Sequence, residues 1–164
     1  MSEAPAPGPA PGPSPAGAAV GGRTVSLRSG DWSALSADAS AVRIEVFVRE
    51  QGIPAEEEWD ERDAVSVHCV AYSAAGTPVG TGRLLPDGHI GRMAVLPAWR
   101  SAGVGAQILQ RLVELGAAHG HRVLELSAQR SAEAFYRRHG FVAFGEPYDE
   151  VGIAHICMRR VCPA

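Results

Sequence analysis

Hydrophobic and polar positions along the chain fall into two alternating regimes. Short β-branched or alternating runs predict strands at Thr24 to Arg28, Val65 to Tyr72, Pro78 to Leu85, Ile90 to Leu96, Arg122 to Ala128, Phe141 to Gly145 and Gly152 to Arg160. Between them, apolar residues recur at helical spacing. Leu35, Val42, Val46 and Phe47 predict a helix capped by Asp31 or Ser33 and ended near Gly52 and Pro54. Val104, Ile108, Leu112 and Leu115 predict a second helix, from about Gly103 to His119. A short third runs from Ala132 to His139 and is ended by Gly140. Ala75-Gly76 and Pro86-Asp87-Gly88 read as turns, so the three strands they join form an antiparallel meander. The element order is strand, helix, meander, helix, strand, helix, two strands. That order predicts a mixed α/β sheet with helices packed on its faces.

Composition narrows the class. At 164 residues the chain is long enough for one domain with its own core. The net charge of −3 leaves no basic footprint for nucleic acid, and no apolar run approaches the ~18 residues of a membrane helix. All 15 basic residues are arginine, which with the Ala, Gly and Pro richness reads as coding bias. Cys69, Cys157 and Cys162 are odd in number and lack metal-ligand spacing, so no metal is expected and a reduced, cytoplasmic protein fits best. Residues 1–22 alternate proline with small residues. They predict a disordered tail ahead of a single domain over residues 23–164. A polyproline ligand for a partner is the sharper alternative.

The densest chemical signal is Arg100-Ser101-Ala102-Gly103-Val104-Gly105-Ala106, directly after the apolar run Met93-Ala94-Val95-Leu96-Pro97. Glycines bring backbone close to a ligand. A helix N-terminus adds unpaired N–H groups and the positive end of its dipole, a combination suited to phosphate or pyrophosphate. Alone, such a turn is equally an ordinary strand and glycine turn. A second motif, Ala132-Glu133-Ala134-Phe135-Tyr136-Arg137-Arg138-His139-Gly140-Phe141, follows one helix and one strand later. Together the two motifs resemble the GNAT superfamily of acyl-CoA-dependent N-acyltransferases, over residues 24–160. A finer resemblance to its ElaA-like branch lies in Val46-Phe47-Val48-Arg49-Glu50-Gln51, Asp60 with Asp63, Ile90-Gly91-Arg92, Ala128-Gln129 and Gly152-Ile153-Ala154-His155.

The resemblance implies a central, mostly antiparallel twisted sheet with helices on both faces, and acetyl-CoA as cosubstrate. It implies that residues 100–106 cradle the pyrophosphate. It implies that the strand holding Met93, Ala94 and Val95 splays from its neighbour and pairs with the pantetheine arm, a backbone N–H near Val95 polarising the thioester. Tyr136 takes the place of the residue that returns a proton to the CoA sulfur; a packing aromatic is the plainer reading. Phe135 packs in the core or against the CoA arm. Gln129 stands where many members carry Asn. The base is open among Glu50, Glu58, Asp60, Asp63, His68, His155 and an ordered water. His155 is favoured because a free imidazole titrates near neutrality, and His68 reads as structural.

Seven of the 18 acids lie within residues 50–63. Most read as a solvated loop. Asp60 and Asp63 are expected to fix the edge of the site by pairing with Arg83 or Arg92, and Glu50, Asp60 and Asp63 to draw in a cationic amine. The expected activity is transfer of acetyl from acetyl-CoA to a small-molecule or exposed amine, by a chain compatible with a homodimer. Two alternatives stand beside it. One is an acyl-homoserine-lactone-synthase-like enzyme, whose amino-terminal half Phe47, Glu58, Asp60, Asp63 and Gly82-Arg83-Leu84-Leu85-Pro86 resemble. The other is a non-catalytic acyl-CoA-binding module.

Overall fold

The computed structural model describes residues 23–162, so the expected tail at 1–22 lies outside the described residues. Seven strands form one sheet: β1 (Ser26–Gly30), β2 (Val67–Tyr72), β3 (Pro78–Leu84), β4 (His89–Val95), β5 (Val123–Gln129), β6 (Val142–Glu150) and β7 (Ile153–Val161). Their order is β1-β2-β3-β4-β5-β7-β6, and every neighbouring pair is antiparallel except β4 with β5. The helices are α1 (Trp32–Arg43), α2 (Ala55–Glu58), α3 (Val104–Ala118) and α4 (Glu133–Arg138).

Period-two burial in β2 explains the layering. Val70 and Tyr72 pack with Leu35 and Ala39 of α1 on one face, while Cys69 and Ala71 join Ile108, Leu109 and Leu112 of α3 in the main core on the other. Helix α3 seats low because β3 offers glycines beneath it. A Cβ at Gly80 would come within 2.8 Å of Ile108, and one at Gly82 within 2.9 Å of Leu112. Close seating brings the start of α3 to the end of β4, where the candidate phosphate turn lies.

Three local features depart from the expected pattern. Helix α1 does not stop but widens into a π-helical stretch, Ile44–Glu50, before Gly52 ends it at φ 74°. The acidic loop is partly helical, as α2 and a 3₁₀ turn over Glu61–Val65. Strand β6 runs past Gly145 to Glu150, with a register shift between Phe144 and Tyr148.

Candidate active site

The site begins with a strand that leaves its neighbour. Strands β4 and β5 pair only at His89–Glu125 and Ile90–Leu126. A bulge then turns β4 away: from Thr81–Ala94 to Arg83–Gly91 the register advances by one more residue on β4 than on β3, and Arg92 takes φ 49°. Beyond Ile90 the β5-facing edge of β4 has no strand partner among the described residues, and Met93, Ala94 and Val95 lie on that open stretch. Ala94 also packs with Val42, Val46 and Phe47 of the α1 extension.

The phosphate turn closes the far end of this wedge. Ser101 and Gly103 take left-handed φ values of 64° and 82°, Gly103 being the N-cap of α3 with no side-chain cap. The first helical bond comes from Gln107 N–H to the Gly103 carbonyl at 3.1 Å; among the described residues no partner is found for the N–H groups of residues 101–106. Successive unpaired N–H groups at a dipole's positive end make an anion cradle, which is what a pyrophosphate requires. Ala102 and Val104 are buried and anchor the turn. A Cβ at Gly105 would meet Phe135 at 3.5 Å and Val95 at 3.7 Å, ordinary contact distances, so the left-handed backbone at Gly103 is the stricter glycine requirement. Phe135 thereby sits across the wedge from β4.

Arg100 is tied down by other groups. Its Nε donates to the Val95 carbonyl at 2.9 Å, and both terminal nitrogens donate to Glu50 at 2.6 and 2.7 Å. The Arg100 hydrogen bonds hold the Glu50 pKa below the usual carboxylate range. Glu50, expected to attract the acceptor, therefore neutralises Arg100 and does not line the acceptor cavity. The π-helical extension is what carries Glu50 far enough to reach it.

The cavity itself encloses about 430 Å³ at the mouth of the wedge. Met93 and Arg92 line it from β4, Ser127 and Gln129 from β5, Tyr136 from α4 and His155 from β7. Tyr136 is 8% exposed and its hydroxyl makes no hydrogen bond to a described residue; burial pushes its pKa upward, so the phenol stays protonated. His155 Nδ1 lies 2.7 Å from the Ile153 carbonyl. A carbonyl only accepts, so Nδ1 carries the proton and Nε2 is left as the acceptor nitrogen of the neutral ring. The ring stacks on Tyr148, whose hydroxyl bonds Ser127. Gln129 exchanges two hydrogen bonds with Gln51, at 2.9 and 3.3 Å, which bridges β5 to the segment after α1.

Behind the cavity lies an ion network. Asp60 accepts from Arg83 at 2.8 and 3.2 Å and from Arg92 at 3.3 Å; the Arg83 bonds lead in lowering its pKa to about 2. Asp63 is fully buried and accepts from Arg43 and Arg83. Burial opposes its ionisation, but Arg43 and then Arg83 outweigh that and hold its pKa low. Arg43 also bonds Glu58, and Arg92 Nε donates to the Glu58 carbonyl at 2.9 Å. Three carboxylates thus meet three guanidinium groups. Of the expected acceptor-side residues only Asp60 reaches the cavity; Asp63 and Arg83 stand behind it. His68 is buried against Trp32, its Nε2 donating to the Asp63 carbonyl, and desolvation lowers its pKa. It lies off the cavity lining, as a structural histidine would.

Arg43 was legible only indirectly. It continues the four-residue stripe Leu35–Ala39, an arginine on a buried helical face, which demands carboxylate partners. Ser127 and Tyr148 carried no such signal, because their meeting is a matter of sheet register. Among the described residues no group of acids, histidines and cysteines is arranged to hold a metal ion, and no helix is long and apolar enough to cross a membrane.

Comparison with known proteins agrees with this geometry. A family profile described as an acetyltransferase (GNAT) domain matches residues 35–162. The chain belongs to the GNAT acetyltransferase family. The uncharacterised N-acetyltransferase YjcF of Bacillus subtilis is 42% identical over 127 residues, 75% of this chain and 90% of that protein. An acyl-CoA N-acyltransferase from Pseudomonas aeruginosa superposes with TM-score 0.73 at 33% identity, covering 82% of this chain and 99% of that one. Escherichia coli ElaA superposes with TM-score 0.74 at 27% identity, covering 84% and 99%.

Proposed function

We propose that the protein transfers the acetyl group of acetyl-CoA to a cationic amine by direct attack, with Tyr136 as general acid and His155 as proton acceptor. The observation that carries this reading is the wedge between β4 and β5, open along Met93 to Val95, running from the bare N-terminus of α3 to the cavity under Tyr136. Acetyl-CoA supplies the activated thioester. The N–H groups from Ser101 to Ala106 hold its pyrophosphate, and the free edge of β4 aligns its arm. Phe135 packs beside the arm, opposite Val95.

The amine must be neutral to attack, so its proton leaves first, and His155 Nε2 accepts it. The nitrogen then bonds to the thioester carbon. The carbon–sulfur bond breaks, Tyr136 donates its proton to the departing sulfur, and the second proton that the nitrogen sheds on becoming an amide restores the phenol. The burial that keeps this phenol protonated also makes a thiolate released beside it more basic, so the two effects offset one another. The Gln51–Gln129 pair ties together two walls of the same cavity. We set this reaction in the cytoplasm, where three unpaired thiols stay reduced.

Two measurements test the reading. Calorimetry should give saturable binding of acetyl-CoA, lost in Gly103→Asp, which sets a side chain and a negative charge in the anion cradle. A screen of amines should then give amine-dependent release of free thiol. Binding without any amine-dependent thiol release would leave an acyl-CoA-binding module and overturn catalysis. No binding would overturn the reading altogether.

A further inference from the structure

We propose that the acceptor is a dication, carrying a second positive charge besides the nitrogen that is acetylated, as in an α,ω-diamine. This rests on the acetyl-transfer reading and names the acceptor class for the same cavity.

The argument is one of charge placement. Arg43, Arg83 and Arg92 are matched by Glu58, Asp60 and Asp63, so the network behind the cavity is neutral in sum. Glu56 and Glu57 of α2 and Glu150 at the end of β6 also line the cavity. The Glu57 backbone N–H donates to the Pro54 carbonyl and Glu150 pairs with Ile153 in the β6–β7 ladder, but none of the three carboxylates has a hydrogen-bond or ion-pair partner among the described residues. They come from separate parts of the chain, Glu56 and Glu57 from the segment after α1 and Glu150 from the β6–β7 hairpin.

Below this rim is a built pocket, not open surface. Tyr136 lines it at 8% exposure with an unpartnered hydroxyl, a group that calls for a ligand. Trp59, 55% exposed, stands on the same rim and offers an aromatic face to a cation. The chemistry then decides how many charges the rim serves. The nitrogen that attacks has already lost its proton, so a monoamine in its reactive form offers the three carboxylates nothing to hold. A second ammonium group, remote from the reacting one, stays protonated throughout and answers them.

The test compares butylamine with putrescine, which adds a second amine to the same four-carbon stem, using the full chain and saturating acetyl-CoA. The kcat/KM for putrescine should exceed that for butylamine by about tenfold or more. The advantage should shrink as salt rises from about 0.05 to about 0.5 M, since the rim is solvent-exposed. The double variant Glu57→Gln, Glu150→Gln should reduce the putrescine-to-butylamine ratio severalfold, and calorimetry on the CoA-saturated protein should find weaker putrescine binding in it. Equal kcat/KM for the two amines, or a ratio and affinity untouched in the double variant, would overturn the dication proposal while acetyl-CoA binding and amine-dependent thiol release still stand. Failure of acetyl-CoA to bind would instead overturn the parent reading.

Discussion

In the proposed mechanism two side chains that line the cavity divide the proton work, and single substitutions separate them. Tyr136→Phe keeps the ring contacts with Phe135 and Phe141 but removes the donor. Turnover should fall by ~10²–10⁴-fold with acetyl-CoA affinity nearly intact by calorimetry. Wild-type turnover would return Tyr136 to a packing role. His155→Ala removes the acceptor nitrogen, so turnover should drop most near neutral pH and recover partly as pH rises and free amine accumulates. An equal loss at every pH would mark a structural histidine. Both residues were legible in the chain by resemblance, Tyr136 from its place four residues before Gly140. The hydrogen bond that sets the His155 tautomer was not, since its partner is the carbonyl of Ile153, and a β-strand fixes that approach only once its bend is known.

Elements carry the next set of expectations, above all the start of α3. Gly103 sits at φ 82° while Gly105 does not take a positive φ. Gly103→Ala should therefore cost about 1 kcal/mol, a lower thermal midpoint by a few degrees. Gly105→Ala should leave the midpoint within error, because its new Cβ meets Phe135 and Val95 at ordinary contact distances. Equal losses in both variants would mean that close packing, not backbone conformation, governs the turn. Most element positions followed from apolar periodicity, including α3 and the β2–β4 meander. The π-helical stretch after α1 did not, because Val46, Phe47 and Val48 read equally as a helix of ordinary pitch. Yet that stretch brings Glu50 to Arg100 and Gln51 to Gln129. The acidic loop was legible in part: the expected pairing of Asp60 and Asp63 with Arg83, and of Asp60 with Arg92, is found, whereas the engagement of Arg43 with Glu58 and Asp63 depends on how the loop folds back on α1.

Across the whole molecule, the Arg43–Glu58–Asp63–Arg83–Asp60–Arg92 network joins α1, the acidic segment and the sheet. Removing one buried partner leaves the others uncompensated, so Arg43→Ala should destabilise by about 3–5 kcal/mol in urea unfolding. A loss under about 1 kcal/mol would show that the segment holds without it. Acid should loosen the fold in two windows. His68 has a folded pKa below its ordinary 6.5, so the unfolded chain takes up that proton first, and stability falls as pH drops from 6.5 through the folded value. Asp60, held at about 2 against an ordinary 3.8, adds stability that is full above 3.8 and is lost as pH falls towards 2. Asp60→Asn should flatten the lower window in a series of thermal melts, leaving the upper one. An unchanged profile below pH 3.8 would assign that window to other carboxylates.

The sequence by itself determined the class of fold, the glycine turn at residues 100–106 proposed to bind an anion, the placement of Tyr136 and the acidity of the segment from Glu50 to Asp63. These are local properties: periodicity, glycine, capping and charge density are written into neighbouring residues. Only the tertiary structure decided that Glu50 and Glu58 are also neutralised and which acids face the cavity, because ion pairing across 15 to 50 residues is set by register and by how the chain folds back on α1. It paired Glu50 with Arg100 and left the carboxylates of Glu56, Glu57 and Glu150 at the cavity without a partner among the described residues. The same cause opened the wedge: a strand's own residues specify that it is extended, whereas the point at which β4 leaves β5 depends on what α1 and α3 press against its two faces.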